Sequence, residues 1–350
     1  MRRPAYLVNG FGAYAGGIVR VHNEICRQLA ARGLLFIASA PRHQESGFPS
    51  TILSRQTDSR RASLVADLKA SLRRGPRYDV RVDSAPAFRL FTKSSRHVVV
   101  VHDLNFLQRH VHGISAVQYV YRWVLHHWTL RRVDSIVVNS EATAAEVRQF
   151  RPALERKVVV LPLPVDHVVA PPAPAASAGG KAITLMSFGH AANKGVEHLL
   201  ELAAARPAIE LLLICGQGHW RELWEPRARE LGVTGRVHVR SSVSDSELYE
   251  AYCHADVFCM LSSYEGYGLP VAEALRLARP TIVSTLPVLA ATSRHAAVVV
   301  DPKDVAALSA AVDEALQAPR QRWLDAAETF RSWTWESWTT ELLRSVACHP

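Results

Sequence analysis

The feature that most constrains the fold is the alternation of short apolar runs with helical stretches, which continues through both halves of the chain. Such alternation is typical of parallel α/β sheets. In the first half the predicted strands are AYLVN, LLFIAS, HVVVVHD (97–103), SIVVNS (135–140) and KVVVLPL (157–163), and the predicted helices are 17–32, 62–74, 115–131 and 141–149. The second half continues with AITLMSF, IELLLICG, RVHVRS, ADVFCML and PTIVST.

The length of 350 residues exceeds the size at which one hydrophobic core usually stops growing, so two domains are expected. The segment VAPPAPAASAGGK lacks any apolar period and predicts a linker. We therefore predict a first domain at 1–168, a linker at 169–181, a second domain at 182–330 and a final amphipathic helix within 331–350. Two such domains place a ligand cleft between the carboxyl ends of their sheets.

The net charge of +9 is unevenly distributed along the chain. The first 170 residues hold 25 Lys and Arg against 12 Asp and Glu, whereas the remainder holds 16 against 20. The basic half predicts an anionic partner: a membrane surface, a nucleic acid or a phosphorylated substrate. No nucleic-acid-binding motif occurs, so a nucleic-acid-binding protein is the least favoured of these classes.

The five cysteines are scattered and form no C-x-x-C pair, which argues against a disulfide framework or a zinc knuckle. Cys215 and Cys259 lie in apolar runs and are predicted to be core residues. No apolar run is long enough to span a bilayer. The basic start is followed too soon by Asn9 and Gly10 to be a signal peptide, so we expect a cytoplasmic protein.

The first glycine-rich turn, YLVNGFGAYAGG, has two interpretations. Residues 10–15 fit the dinucleotide fingerprint, whereas Gly16 and Gly17 suggest a different phosphate-binding loop. A dinucleotide site needs an acidic residue about 20 positions further on, at the end of the second strand. LLFIAS ends in Ser39 and Ala40, which weakens the NAD hypothesis.

The most specific segment is SSYEGYGLPVAEAL, residues 262–275. Its glycines permit close backbone approach to a ligand, and Pro270 is predicted to be the first residue of a helix whose N–H groups face an anion. The predicted donors are the neighbouring N–H groups of Leu269, Val271 and Ala272. Glu273, one turn into this helix, would be repelled by a phosphate unless it binds neutral hydroxyls such as those of ribose. The alternative is a strand–turn–helix with incidental glutamates.

Two glutamates eight apart around EGYGLP resemble the E-x7-E signature of the retaining glycosyltransferases of family 4, which have the GT-B fold. The resemblance extends along nearly the whole chain, through AGGIVRVHNEICRQLAARG, VVVVHDLNFL, DSIVVNSEATAAEV, SFGHAANKGVEHLLELAA and LLLICGQG. The tail with SWTWE resembles the family's last helix, which returns to the first domain. The implied fold is two Rossmann-like parallel-sheet domains facing across a cleft, with acceptor on the first and nucleotide sugar on the second.

The resemblance implies transfer of a hexosyl group from a GDP- or UDP-linked sugar, with retained configuration. The implied catalytic residues are His102, Lys194 and Glu265, with a core histidine and a solvated lysine at a helix start as the structural alternatives for the first two. The implied donor-binding residues are Gly16, Gly17, His190, Lys194, Gly216, Glu265, Gly266, Tyr267, Gly268, Leu269 and Glu273. In these roles Glu273 binds ribose, Glu265 contacts the donor sugar and Lys194 neutralises the leaving diphosphate.

Asp103 and Ser140 are candidates for the acceptor side. For each of them a structural role is open as well. Asp103 could orient the imidazole of His102 or cap a turn, and Ser140 could be only the N-cap of the next helix.

Three departures from the family pattern stand out. His190 replaces an arginine, so we expect diphosphate binding that is weaker or more sensitive to pH. Ala278 replaces a glycine, a difference we attribute to packing. The loop LPVLAATSRHAA lacks the family's glutamate, which leaves recognition of the base unassigned. No D-x-D triplet occurs, so no metal cofactor is predicted.

Two basic segments are candidates for the membrane and acceptor sides. The segment RRASLVADLKASLRR (60–74) is either a docking helix for anionic lipid, as in lipid-glycosylating family members, or a solvated basic helix. The segment YVYRWVLHHWTLRR (119–132) could line the acceptor, although we expect more than half of its aromatic side chains in the core.

These patterns predict a glycosyltransferase, peripheral on the membrane or free of it, in surface polysaccharide, lipopolysaccharide or glycolipid synthesis. VHDLNFL resembles mannosyltransferase-like members, which favours mannose carried on GDP. The alternatives are a catalytically silent scaffold of the same fold and a nucleotide-sugar epimerase, which would convert the donor without an acceptor.

Overall fold

The computed structural model describes residues 6–9, 17–34, 36–39, 78–87, 94–108, 114–169 and 182–347. The chain divides into two compact units: Met1–Leu163 with Trp335–Pro350, and Pro164–Thr334. Residues 10–16 of the first glycine-rich turn, the segment 60–74 and residues 170–181 of the predicted linker lie outside the described residues.

The first unit contains a parallel sheet in the order β2-β1-β3-β4-β5-β6, six-stranded as far as the structure describes it. Its strands are β1 (Tyr6–Asn9), β2 (Phe36–Ser39), β3 (Tyr78–Asp83), β4 (Ser94–Val101), β5 (Ser135–Val138) and β6 (Val158–Val160). Its helices are α1 (Gly17–Ala31), α2 (Ala116–Arg132) and α3 (Glu141–Phe150), with 3₁₀ turns at Asn105–Gln108 and Pro152–Lys157 and a C-terminal helix at Trp335–Ala347. The buried valines of β4 and β5 form the centre of its core.

Strand β3 was not predicted, because two charged residues interrupt its apolar pattern. Arg81 and Asp83 are nevertheless buried and paired: the guanidinium donates from Nε and Nη2 to the two carboxylate oxygens at 2.9 and 2.6 Å. His97 on β4 lies 2.8 Å from the same carboxylate. Burial raises the pKa of Asp83, but Arg81 and His97 outweigh that effect and hold the pKa well below its usual range.

The C-terminal helix packs within the first unit, although it follows the second unit in the chain. Trp335 and Trp338 are buried, with their rings edge to face, and the Trp338 indole donates to the carbonyl of Leu161 at 3.2 Å. Arg32, just after α1, donates to the carbonyl of Glu336 and to the Thr340 hydroxyl. These bonds attach the last helix to α1 and to the end of β6.

The described second unit contains a parallel sheet of six strands in the order β12-β11-β10-β7-β8-β9. Its strands are β7 (Ile183–Phe188), β8 (Ile209–Ile214), β9 (Val237–Arg240), β10 (Val257–Met260), β11 (Thr281–Ser284) and β12 (Val298–Val300). Its α-helices are α4 (Val196–Ala205), α5 (Gln217–His219), α6 (Glu225–Glu230), α7 (Asp245–His254), α8 (Leu269–Arg276), α9 (Pro287–Thr292), α10 (Val305–Gln317) and α11 (Arg320–Thr329). 3₁₀ turns lie at Ala192–Lys194 and Thr234–Arg236, and a π-helical turn at Trp220–Trp224.

The sheet order of the second unit explains where a site can form. β7 pairs with β8 on one side and with β10 on the other, so the chain changes direction across the sheet at β7. Loops after neighbouring parallel strands meet at the same edge, and a reversal of strand order opens a crevice there. The predicted fold class, two Rossmann-like parallel-sheet α/β units, is confirmed. Strand β12 was not predicted.

The attribution of Ala278 to packing is wrong, because its backbone has a left-handed conformation with φ of 53°. Ala278 follows α8, and its N–H donates to the carbonyl of Leu275 while the N–H of Arg279 donates to that of Ala274. These two bonds form a Schellman motif, which favours glycine at the left-handed position. A glycine in the family pattern is therefore explained by the backbone.

Candidate active site

The loops after β7 and β10 bring Lys194 and Glu265 together. Lys194 ends the 3₁₀ turn that follows β7, and Glu265 lies between β10 and α8. The Lys194 Nζ donates to Glu265 Oε1 at 2.5 Å, and the two side chains are only 10% and 14% exposed. Two residues predicted to act on one donor are thus in direct contact across the junction of adjacent strands.

Gly195 explains how this contact can form. Its φ of 69° is left-handed, and a Cβ at this position would lie 2.3 Å from the carbonyl oxygen of Leu261. Any other residue would push the lysine loop away from the end of β10. Asn193 fixes the same junction, since its side chain donates to the Tyr264 carbonyl and its own carbonyl accepts from the Ser263 N–H, both at 2.9 Å. Sequence analysis missed both residues, although Gly195 directly follows the lysine.

The second glycine of EGYG sets the start of α8. Gly268 is the N-cap, with φ of 88°, and a Cβ there would lie 2.5 Å from the Leu289 side chain. Leu269 is the first helical residue and Pro270 the second, so the expectation that Pro270 begins the helix is wrong. The expected free N–H of Val271 donates to the Gly268 carbonyl at 2.9 Å.

Tyr267 lies in the same turn, but its side chain is buried. Burial raises the pKa of its phenol, an effect that Arg294 only partly opposes. The Tyr267 carbonyl accepts from the Thr292 hydroxyl at 2.5 Å, which ties the turn to α9. A nucleotide sugar bound at this turn would therefore contact the peptide groups of the turn and Gly266 before it contacted the phenol of Tyr267.

Glu273 is buried on α8, and both of its carboxylate oxygens have partners. Oε1 lies 3.0 Å from Nε2 of His167, and Oε2 accepts from the Tyr252 hydroxyl at 3.0 Å. Sequence analysis found neither partner, because His167 precedes β7 by a long segment and Tyr252 lies on α7. The carboxylate predicted to bind ribose is thus held from two sides by the second unit itself.

His190 and Gly216 follow β7 and β8 at the same edge of the sheet. His190 is exposed, and desolvation of the imidazole by its surroundings, with the nearby charges of Lys194 and His219, lowers its pKa to about 4. The ring is therefore neutral around neutral pH. Gly216 precedes α5, where a Cβ would lie 3.0 Å from the His219 ring.

In the first unit, His102 follows β4, which ends two residues earlier than predicted. Its Nε2 lies 2.9 Å from the Ser84 carbonyl, so this nitrogen carries the proton and Nδ1 keeps its lone pair. Burial lowers the pKa of His102, against the opposing effects of the Ser84 bond and Asp103. The residue that orients the imidazole is therefore Ser84 at the end of the unpredicted β3. The Ser84 hydroxyl in turn lies 3.0 Å from Nδ1 of His22.

The two acceptor-side candidates have the structural roles that sequence analysis left open. Asp103 Oδ1 accepts from the Asn105 N–H at 3.1 Å and caps a turn. The Ser140 hydroxyl accepts from the Thr143 N–H at 3.0 Å and is the N-cap of α3. Gly17 is the first residue of α1.

Helix α2 has an exposed apolar face. The expectation that most of its aromatic side chains are in the core is wrong: of the described ones none is buried, and Trp123 is 40% exposed. Val117, Val120 and Val124 are more exposed still, at 79%, 57% and 44%. Sequence analysis missed this because the inward face of α2 is formed by Leu125, His126, Thr129 and Leu130.

Among the described residues, no helix is both long and apolar enough to cross a membrane. Within the same ranges, no three His, Cys, Asp or Glu side chains are grouped so that they could hold a metal ion.

Cys215 and Cys259 are buried, as predicted, and burial raises the pKa of their thiols to about 11 and about 12.

Comparison with known families decides between the classes that the sequence left open. Residues 15–168 match the family described as Glycosyltransferase Family 4, and residues 173–330 match the one described as Glycosyl transferases group 1. The chain belongs to the family 4 glycosyltransferases. The predicted family is confirmed across both units.

Several relatives of this glycosyltransferase are named for mannosyl transfer. The MMP alpha-(1->4)-mannosyltransferase of Mycolicibacterium hassiacum is 29% identical over 55% of this chain and 47% of its own length. The O-antigen chain mannosyltransferase B of Escherichia coli is 31% identical over 38% and 36%. The GDP-mannose:cellobiosyl-diphosphopolyprenol alpha-mannosyltransferase of Komagataeibacter xylinus is 28% identical over 46% and 44%. The chain thus spans less than half the length of these curated relatives.

Solved structures share the fold along the whole chain. Sucrose-phosphate synthase from Thermosynechococcus elongatus has a TM-score of 0.75 at 19% identity, with 98% of each chain covered. Anabaena HepE, solved in complex with UDP and glucose, has a TM-score of 0.72 at 13% identity, with 99% of this chain and 100% of HepE covered. At these identities the likeness establishes the GT-B fold.

Proposed function

We propose that this glycosyltransferase moves a mannosyl group, with retained configuration, from GDP-mannose to a saccharide or lipid-linked saccharide in the synthesis of a surface polysaccharide or glycolipid. The observation that carries the proposal is the buried Lys194–Glu265 pair beside the start of α8. The choice of mannose and GDP is supported by the names of the relatives and by the resemblance of VHDLNFL. Because HepE was solved with UDP, the UDP sugars are the competing donors.

The pair suits sugar transfer because Lys194 would bind the diphosphate of the donor and Glu265 would bind its sugar. The Lys194 ammonium has three N–H donors, of which Glu265 uses one at 2.5 Å. A diphosphate would take the others, and a fixed cation beside it stabilises the charge that develops as the glycosidic bond breaks. Glu265 accepts hydrogen bonds and would orient the hydroxyls of the donor sugar.

Helix α8 supports the same ligand at its other end. Its first turn has no side-chain cap, so its N-terminal dipole is available to an anion. Glu273 follows one turn later, and its carboxylate can accept further bonds from the ribose hydroxyls beside His167 and Tyr252. We propose that Lys194 and this helix end replace a metal ion in neutralising the diphosphate.

The proposed partner of the first unit is an anionic membrane surface that carries the acceptor. The exposed valines and Trp123 of α2 adjoin exposed Arg131 and Arg132 at the end of the helix. An apolar face flanked by basic residues suits the interface of an anionic bilayer.

The test is a transfer assay with the full chain, methyl α-mannoside as acceptor, and GDP-mannose or UDP-glucose as donor, in EDTA or in Mg²⁺. We expect release of GDP with formation of an α-linked disaccharide in either buffer. Lys194→Met should lower kcat/KM by about 100-fold or more, whereas Lys157→Met, which alters a lysine that bonds first-unit carbonyls, should leave it within a few-fold. A β-linked product would exclude retention, donor conversion without acceptor would indicate an epimerase, and no turnover of either donor would favour a silent scaffold.

A further inference from the structure

We propose that the second unit carries another binding pocket, for one or two neutral hexose units, which neither the donor residues nor the acceptor candidates explain. The pocket is a cavity of about 370 Å³ at the carboxyl edge of the sheet. It is lined by the turn before α4 and by the loops that follow β10, β11 and β12. Its volume lies within the range of small-molecule sites. The proposal does not depend on which sugar nucleotide the enzyme uses.

The first observation is a set of buried polar atoms without a hydrogen-bond partner. Ser262 is 1% exposed, and its Oγ has no partner. Glu197 Oε2 and His198 Nδ1 also have no hydrogen-bond partner, but their side chains are 42% and 18% exposed, and His198 Nδ1 lies 3.8 Å from Glu201 Oε2 on the same helix. Three of the six side-chain atoms of this kind in the described part of the chain belong to residues that line this one cavity. Because an unsatisfied buried polar atom costs about 1–3 kcal/mol, a ligand that bonds the fully buried Ser262 hydroxyl would recover that cost.

The chemistry of the lining selects a neutral polyhydroxyl ligand. Lys303 is opposed by the carboxylates of Glu197 and Asp301, so the lining has no excess of positive charge to attract a phosphate. Hydroxyl and amide groups add both donors and acceptors, as sugar hydroxyls require: Ser262, Ser263, Thr285 and Asn193. Leu286 and Pro287 offer an apolar surface to the C–H face of a sugar ring.

The pocket is linked to the Lys194–Glu265 pair through Asn193. Asn193 precedes Lys194, and its side chain donates to the carbonyl of Tyr264, which precedes Glu265. A saccharide bound to Asn193 would therefore fix both loops that carry the pair. We expect saccharide and nucleotide to raise each other's affinity by the same factor, about 5-fold, because coupling between sites is reciprocal.

The experiment is a titration of the full chain with maltose, a neutral disaccharide other than the acceptor of the transfer assay, followed by saturation-transfer NMR and calorimetry, first without and then with GDP. Thr285→Trp fills the cavity from an exposed position of its rim, and Thr234→Trp is the matched control on an exposed turn beside β9. Ser262→Ala removes the unpartnered hydroxyl and leaves the bond from Ser284 to the Ser262 carbonyl intact.

The expected result is saccharide binding by the wild type and by Thr234→Trp, loss of binding in Thr285→Trp, and binding about 3- to 10-fold weaker in Ser262→Ala, with no fall in melting temperature. Unchanged saccharide binding in Thr285→Trp would overturn the proposal. The absence of saturation transfer at tens of millimolar saccharide would also overturn it, because water alone would then fill the cavity. If Thr285→Trp removed GDP binding instead, the cavity would belong to the nucleotide site. GDP binding that persists without saccharide binding would refute this pocket and leave the proposed transfer reaction standing.

Discussion

Replacement of Glu273 by glutamine tests the donor site most directly. The wild type, at ligand ten times above its dissociation constant, should gain about 1.4 kcal/mol from GDP. For a unit of this size that is a rise in melting temperature of about 3–6 °C. Glutamine keeps the volume of the buried side chain but loses the charge that would bind the ribose hydroxyls. A loss of about 2 kcal/mol weakens binding roughly 30-fold, which leaves a shift below about 1 °C at the same concentration.

The assay is a thermal-shift titration with GDP, UDP and NAD, in which each variant is compared with its own ligand-free melting temperature. Glu210→Gln is the matched control, because Glu210 also pairs with a histidine, His238 at 3.2 Å, but on an exposed edge of the same sheet. Tyr252→Phe removes one of the two groups that hold Glu273 and should weaken GDP binding less than Glu273→Gln. A full GDP shift in Glu273→Gln would refute the ribose role, and a shift with NAD alone would return the first glycine-rich turn to a dinucleotide site.

Three further predictions rest on single side chains. Because the pKa of His190 is lowered to about 4, the affinity for GDP-mannose, whose diphosphate diester does not titrate in this range, should be constant from pH 6 to 8. His190→Arg should raise that affinity about 3- to 10-fold in the same titration, and an affinity that falls as the pH rises through 6.5 would contradict the neutral imidazole. The ionised Asp83, whose pKa is lowered, stabilises the first unit above about pH 4, and that contribution is lost as the pH falls further. Asp83→Asn leaves Arg81 unpaired and should lower the free energy of unfolding by about 3–5 kcal/mol in urea titrations at pH 7. Equal stability of the variant and the wild type would exclude a structural ion pair. Ala278→Gly should stabilise the second unit by about 0.5–1 kcal/mol in the same measurement, and a lower melting temperature would show that the alanine methyl makes a contact that outweighs its left-handed backbone.

The part of the site that lies within one loop could be predicted from sequence. Gly268 has the left-handed backbone conformation that its position before a helix suggests, and this requirement is recognisable because it is local. The pairing of Glu265 with Lys194 joins two loops 71 residues apart and was not predicted. Their roles toward a donor stay predictions.

The parts that depend on contacts between distant elements could not be predicted. His167 and Tyr252 lie 106 and 21 residues from Glu273, and nothing in their own neighbourhoods marks them as partners of a carboxylate. Strand β3 was missed for a related reason. Its charged residues make it look exposed, and only the pairing of Arg81 with Asp83 in the folded sheet allows them to be buried.

In the second unit, the charged groups that the proposed reaction would use already have hydrogen-bond partners. Lys194 is paired with Glu265, and the Glu273 carboxylate is hydrogen-bonded to His167 and Tyr252. A nucleotide sugar would therefore add bonds to groups that are already in place, which limits the reorganisation that binding requires. On this reasoning Tyr252→Phe should change the affinity for GDP more than it changes kcat, because it loosens a group that positions the ribose and does not touch the sugar. An equal loss in kcat at saturating donor would instead place Glu273 in contact with the reacting end of the donor.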